Sequence, residues 1–473
     1  MNTTLKRFVA LLCAAVLGTT VLTSCRGNKV STESTDSGYY EDESNLTGDS
    51  SLTGSDAQTG NSSNDSTSVT PGTPSTPGTP GTDNPGNYRG TTVRYATWKD
   101  PAANEDGIVI KSFKEKYGIT VKIDMINQSD YIQTIASRIA SGNAPDIVFD
   151  NNEFPASLAV LQPLSTANID LTDPIWDQEF IKQATINGNT YEVNTVSNIW
   201  SEVDCVFYNK KLFSAKGLTT PEQYYAHGNW TWDTFEKVLR DFKAQYPSND
   251  YYGGVIGNQQ IMLASLDTGF FRYKNGSIYT SVDDPTLLKA ITRMSTWYKN
   301  HLINGGDGID FGNNKAGMYV TNAFGLKKTG YFSDMNADSI GFTFLPSSDA
   351  NTTAKPSALW RGWGICKGAT NPVGAGIFLR YYLDVNNYDT SSAFINSAAE
   401  TFFFKLTSTS TTEKEFYLSQ GITHITGEVN DGNYTVLYQR YDPNQIQQQL
   451  STLTNLVNAS VKKANATIQN ASK

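Results

Sequence analysis

The sequence predicts an α/β protein, and three observations predict it. Segments with a hydrophobic period of two alternate with segments of helical period along the chain. The run DIVFD at 146–150 is short and nearly all apolar, as a strand buried on both faces must be. The strand-like runs are separated by stretches long enough to hold a crossover helix, which argues for a mostly parallel sheet.

In chain order, TTVRYATW reads as a first strand that ends at Trp98. Ile108, Val109, Phe113 and Tyr117 recur at helical spacing, and ITVKIDMI alternates Val121, Ile123 and Met125 as a second strand. Tyr131, Ile132, Ile135 and Ile139 mark the next helix, which Gly142 and Pro145 stop. DIVFD is then the third strand, and VDCVFYN at 203–209 restarts the pattern. At 231–242, Thr231 is suited to the N-cap and Asp233 to the first turn, while Trp232, Phe235, Val238, Leu239 and Phe242 form one face. Further strands are expected at 253–256, 316–320 and 340–344. From 443 to about 468, Ile446, Leu450, Leu453, Val457 and Val461 describe a closing helix.

A chain of 473 residues suggests two or three globular units. Its formal net charge is -9 and it has no basic run, which disfavours nucleic acid as a partner. Lys6 and Arg7 precede an apolar stretch at 8–17 that is too short to span a bilayer, the pattern of a secretion signal. Leu22-Thr23-Ser24-Cys25 then has the form of a bacterial lipobox, so residues 1–24 are expected to be removed and the Cys25 thiol lipidated. The alternative is an ordinary cleaved signal with an incidental cysteine. Lipid anchoring of this kind is durable, at about 0.8 kcal/mol per buried methylene. Residues 25–90 are Ser, Thr, Gly, Asp, Asn and Pro with almost nothing to form a core, and read as a disordered linker. Such a linker spans about 45 Å on average, a reach that suits a domain held off the membrane in a thick, Gram-positive type of wall. The mature protein is therefore expected on the extracellular face of the cell membrane. Cys205 and Cys366 sit in strand-like runs and read as two buried free thiols, a disulfide between them being the alternative.

Seven stretches occur in register over 91–473: EKYGITVKID, APDIVFD, GNTYEVNTVSNIWSEVDCVFYNKKLF, NWTWDTF, FGNNKAGMYV, IGFTFLP and WGICKGATNPVGAGIFLRYYL. In this the chain resembles the extracellular solute-binding lipoproteins of bacterial ABC importers, in the maltodextrin-binding-like branch that takes up sugars and oligosaccharides. The resemblance implies a two-lobed periplasmic-binding-protein-like fold (type II). Each lobe is then a mixed sheet flanked by helices, and a hinge joins the two. Lobe one falls at 91–201 with 348–385, and lobe two at 202–347 with 386–473. It also implies a monomer that binds an oligosaccharide, works with ABC permease subunits, needs no cofactor or metal, and is not an enzyme.

Sugars present apolar C–H faces and a rim of hydroxyls, so a site for them needs aromatic plates at strand ends and planar polar groups beside them. LWRGWGICKG at 359–368 meets this with Trp360, Arg361 and Trp363. The guanidinium of Arg361 offers five fixed donors, and Gly362 and Gly364 allow close backbone approach. In sugar-binding relatives a Gly-Trp at this place faces the ligand. The structural alternative is that one tryptophan plugs the hinge and Arg361 pairs with an acid. Trp98 closes the first strand, where ligands of open α/β sheets sit, or else it is a core residue. Asp150, Asn152 and Glu153 end the third strand at the expected cleft edge, with helix capping as their other reading. Trp200 and Glu202 lie in the crossing segment, and Glu202 matches an acid that contacts ligand in maltodextrin-type relatives. Asn258 and Gln260 follow one strand, and Asn322 and Phe324 another. Many relatives have a tryptophan where this chain has Phe324, which weakens a second stacking platform.

His227, His301 and His424 are scattered without metal-ligand spacing, and no G-x-S-x-G, P-loop or H-E-x-x-H is present. Two other readings stay open. One is a glycoside hydrolase using a carboxylate pair such as Asp150 and Glu202. The other is a surface adhesin for insoluble polysaccharide. Within the solute-binding class, a peptide or another polar solute is also open.

Overall fold

The computed structural model describes residues 85–98, 100–101, 105–306, 308–328, 332, 335–350, 352, 354, 356–384, 394–407, 415–418, 420–426 and 436–471. The signal segment, Cys25 and nearly all of the linker lie outside the described residues. The chain folds into an α/β protein of two helix-flanked sheets with a smaller sheet between them.

The first sheet orders its strands Thr120–Met125, Thr92–Thr97, Ile147–Asn151, Arg361–Cys366 and Leu161–Gln162, with Glu192–Val193 also pairing with Arg361–Cys366. The first three run parallel and Arg361–Cys366 runs against them. Side chains alternate across a strand. Val93, Tyr95, Ile147 and Ile365 therefore pack on one face with Val109 and Phe113 of helix Glu105–Tyr117 and Phe378 and Leu379 of helix Pro372–Tyr382. Ala96, Val148 and Cys366 pack on the other face, with Ile132, Ile135 and Ile139 of helix Tyr131–Ala140.

The second sheet orders Ile303–Gly305, Tyr252–Ile256, Ala316–Asn322, Asp204–Asn209 and Ile340–Thr343, parallel in its first half and antiparallel in its second. Helix Trp232–Gln245 starts where the sequence predicts: Thr231 and Thr234 each accept a backbone N–H of the other, a reciprocal cap. Gly253 lets this helix lie directly on the sheet, since a Cβ there would stand 2.7 Å from the carbonyl oxygen of Leu239. Cys205 and Cys366 are free and buried, each in a different sheet.

The chain passes between the sheets at 194–204 and at 344–360. The two passages pair with each other through an antiparallel bridge, Val203 to Ala358. Beside them lies the small sheet, in the order Ser277–Tyr279, Arg272–Lys274, Glu415–Tyr417, Ser357–Leu359. Trp360 falls between Ser357–Leu359 and Arg361–Cys366, and its ring is wholly buried. It stacks on Phe154 at 4.3 Å and is ringed by Phe180, Tyr273 and Phe416 at 4.8 to 5.3 Å. The expectation that Trp360 offers a plate to ligand is therefore corrected: it is the central plug of the waist. Alternation explains this, since residues 361 and 363 point to one side of the strand and 360, 362 and 364 to the other. Gly362 likewise makes room inside the protein rather than for a ligand, because a Cβ there would meet Glu192 Oε2 at 2.3 Å and the Phe180 ring at 2.9 Å.

Helix Ile446–Ala471 closes the fold along Leu450, Val457, Ala464 and Ile468. Asn465 holds both backbone groups of Ile278, and the Tyr191 hydroxyl donates to the Ala471 carbonyl at 3.1 Å. The helix thus touches both halves. A single apolar cluster runs from Ile132 and Leu158 through Trp360 and Phe416 to Val206 and Leu239. Trp360→Ala should therefore cost about 3–5 kcal/mol of stability, as deletion of a large buried side chain does. Urea unfolding followed by circular dichroism checks this, and Trp360→Phe should lose less.

Candidate functional site

Three aromatic rings line up where the parallel strands of the first sheet end. Trp98 stacks on Phe149 with ring centres 5.0 Å apart and planes 14° apart, and Phe149 stacks on Trp363 at 4.5 Å and 23°. All three are only partly buried. Phe149 and Trp363 face each other directly in the antiparallel register. Met125 is half exposed at the end of the neighbouring strand, where it pairs with Thr97. The Trp363 indole N–H donates to the Tyr95 hydroxyl at 3.2 Å, which fixes the ring's orientation. Tyr95 is buried, and burial holds its hydroxyl in the neutral form well beyond its ordinary range.

Phe149 was not foreseen. In DIVFD it reads as one more core residue, because a run apolar on both faces hides which side chain reaches the strand's end. The available signal is position: it is the last apolar residue at the carboxyl end of a parallel strand, where ligands of such sheets bind.

Arg361, two residues before Trp363 and on the same face, binds Glu202 Oε1 through Nη1 at 2.7 Å. Glu202 Oε2 accepts from Asn322 Nδ2 at 3.3 Å. Three predicted site residues are thus brought together, bonded to one another across the waist, and they adjoin the aromatic row through Trp363. Asn322 also accepts the Phe324 N–H, and the partly buried Phe324 ring has Lys327 Nζ 5.9 Å from its centre.

Asp150, Asn152 and Glu153 do not line an open edge. They are buried, and this corrects the sequence expectation. The backbone turns back on itself after the strand: Asn152 takes a left-handed φ of 64°, its N–H donates to the Trp360 carbonyl, and its own carbonyl accepts from Gly421. Asp150 Oδ1 accepts the Glu153 N–H at 2.6 Å, which closes the turn after the strand. On the inner face Asp150 meets Glu192, whose carboxylate takes the Trp360 indole N–H at 2.9 Å and the Ser157 hydroxyl at 3.2 Å. Burial, with the Glu192 charge beside it, pushes the Asp150 carboxyl well above the usual range, and burial pushes Glu192 up to about 7. Asn258 caps helix Gln259–Ala264 by accepting the Gln260 N–H. The Gln260 side chain is buried against a small cavity shared with Thr268, Arg272, Ser357 and Tyr417, away from the aromatic row. Trp200 lies in helix Val196–Ser201, and its side chain lies outside the described residues.

A hydrolase would need two carboxyl groups facing one groove. Asp150 is wholly buried against Glu192, and Glu202 is paired with Arg361, so that pair does not form. The chemistry on offer is apolar ring surface beside a guanidinium and a carboxamide.

Residues 109–396, well over half of the chain, match the family of bacterial extracellular solute-binding proteins. This chain belongs to that family. Three solved structures share the fold. An ABC substrate-binding protein from Listeria monocytogenes in complex with cycloalternan has a TM-score of 0.56 and 15% identity, covering 78% of this chain and 99% of its own. A cyclic alpha-maltosyl-1,6-maltose binding protein from Arthrobacter globiformis has a TM-score of 0.55 and 13% identity, covering 81% and 100%. An extracellular solute-binding protein from Staphylococcus aureus in complex with maltose has a TM-score of 0.55 and 18% identity, covering 80% and 99%. No curated protein matches the sequence. At these identities the likeness carries the fold.

The buried acid pair gives this solute-binding protein a definite pH response. Both carboxyls titrate higher in the folded chain than in the unfolded one, so the folded state holds more protons and stability falls as pH rises from about 4.5 through 7. The Glu192 part of this loss, from 4.5 to about 7, should be on the order of 3 kcal/mol, and urea midpoints at pH 5 and pH 8 check its direction. Glu192→Gln should flatten the slope, because the raised Glu192 titration is removed and Asp150, still raised by burial, loses its like-charged neighbour.

Proposed function

We propose that this chain is the substrate-capture component of an ABC importer and that its ligand is an oligosaccharide. The observation that carries this reading is the stacked row Trp98–Phe149–Trp363 at the carboxyl ends of parallel strands, with Arg361 beside it. Ring surfaces suit the apolar C–H faces of a sugar, and a guanidinium or carboxamide suits its hydroxyl rim. The fold relatives in complex with cycloalternan and with maltose support the same class of ligand.

The lobe assignment follows the crossings: the lobe that carries the aromatic row holds the ligand first, and closure about the paired passages brings the second lobe onto it. That is a hinge closure of the kind periplasmic binding proteins make. Ligand favours the closed form only by its differential affinity for it. Lipidation at Cys25 and the 25–90 linker would keep a monomeric capture domain near permease subunits on the outer face of a Gram-positive membrane. Catalysis is not part of the reading, because the candidate acids are engaged in structural pairs.

Calorimetry and thermal shift with maltotetraose and other linear and cyclic glucans test it, since a ligand of the native state raises the midpoint by mass action. Trp363→Ala should weaken binding of the glucan that binds best by about 2 kcal/mol, roughly 30-fold, while the domain stays folded. Unchanged affinity would remove Trp363 from the site. Shortening of the glucan during incubation would favour the hydrolase reading instead. Pull-down by an insoluble polysaccharide without affinity for short sugars would favour the adhesin.

A further inference from the structure

Glu202 sits on the first passage between the sheets, after helix Val196–Ser201 and before strand Asp204–Asn209. Its own N–H donates to the Ile199 carbonyl at 3.1 Å, and its side chain is only 8% exposed. One carboxylate oxygen takes Arg361, from the first sheet, and the other takes Asn322, from the last position of a strand in the second. Each partner is anchored in its own half. The Arg361 carbonyl accepts from Asn194 Nδ2 at 2.9 Å, and Asn322 Oδ1 accepts the Phe324 N–H at 3.3 Å. The next residue, Val203, bridges to Ala358 and accepts the Ala323 N–H at 2.8 Å. Two consecutive residues therefore gather groups from both sheets and both passages.

A buried carboxylate is held by its partners, and losing one leaves an unmatched charge. Because both bonds end on one carboxylate, the second sheet cannot swing from the first while both keep these lengths. Asp204, two residues on, is buried, accepts the Ser357 hydroxyl at 2.9 Å, and is kept toward its neutral form by burial. The countercharge at this point is thus the Arg361 guanidinium, whose side chain is 26% exposed on the face that carries Trp363. We propose that Glu202 is a positioning residue: it holds Arg361 beside the aromatic row and ties that placement to the angle between the lobes. This rests on the two-lobed capture reading, but on no particular ligand.

The test reads lobe geometry without sugar. Spin labels at Ser141→Cys and Ser214→Cys, exposed positions in the first and second halves, report the distance between lobes by pulsed electron resonance in the full chain. The parent should give one narrow distribution. Glu202→Gln, which removes the charge, and Asn322→Ala, which removes the second-lobe arm together with the bond from the Phe324 N–H, should each at least double its width. Asn322→Ala keeps the test available where Glu202→Gln fails to fold. In calorimetry with maltotetraose, Glu202→Gln should weaken binding at least tenfold and Glu202→Asp less. Distance distributions that match the parent in both variants overturn the proposal, whatever the sugar result. A parent that binds no glucan but whose lobes loosen in the variants leaves the clasp standing and overturns the choice of ligand.

Discussion

The passages at 194–204 and 344–360 lie side by side between the sheets, and the placement of Arg361 and Trp363 depends on their being held together. The backbone joins them at Val203 and Ala358, and the Trp360 ring seals the space beside that bridge with four aromatic neighbours. A waist built this way is rigid in packing and narrow in backbone. The apolar cluster around Trp360 packs the space beside the main-chain bridge between Val203 and Ala358. That combination suits a fold whose halves move as bodies, because close-packed interiors shift between discrete arrangements rather than deform.

Strand Arg361–Cys366 shows how one strand can serve both needs. Arg361 and Trp363 point toward the outside, Gly362 and Gly364 leave space within for Glu192, Phe180 and Leu161, and Ile365 and Cys366 at the strand's end are buried. Substitution on either side would act through a different cost. Outside, ring area for a ligand is lost. Inside, a methyl group meets atoms that have nowhere to go.

Carboxyl groups in this protein have two separate fates. Asp150 and Glu192 are buried against each other and hold a proton more tightly than a solvated acid. Glu202 is buried against a guanidinium and an amide instead. The neighbours separate a core feature from one that joins the two halves.

Much of the fold was legible in the sequence, because hydrophobic period is a local property. The alternation in TTVRYATW and ITVKIDMI, the capped face of Trp232, Phe235, Val238, Leu239 and Phe242, and the closing helix from Ile446 all follow from spacing alone. Trp98, at the end of a strand, and Trp363, within one, stood out in the sequence, and both rings are partly exposed. Trp360 and Asp150 were misread for one reason: a residue beside a strand end can point either way, and which way is inside depends on segments far off in sequence, such as Gly421, Phe416 and Glu192. The sequence by itself determined the α/β order and the chemical kinds of residue at the strand ends. Only the tertiary structure decided which face of each strand is covered, because that depends on packing between elements that no local pattern records.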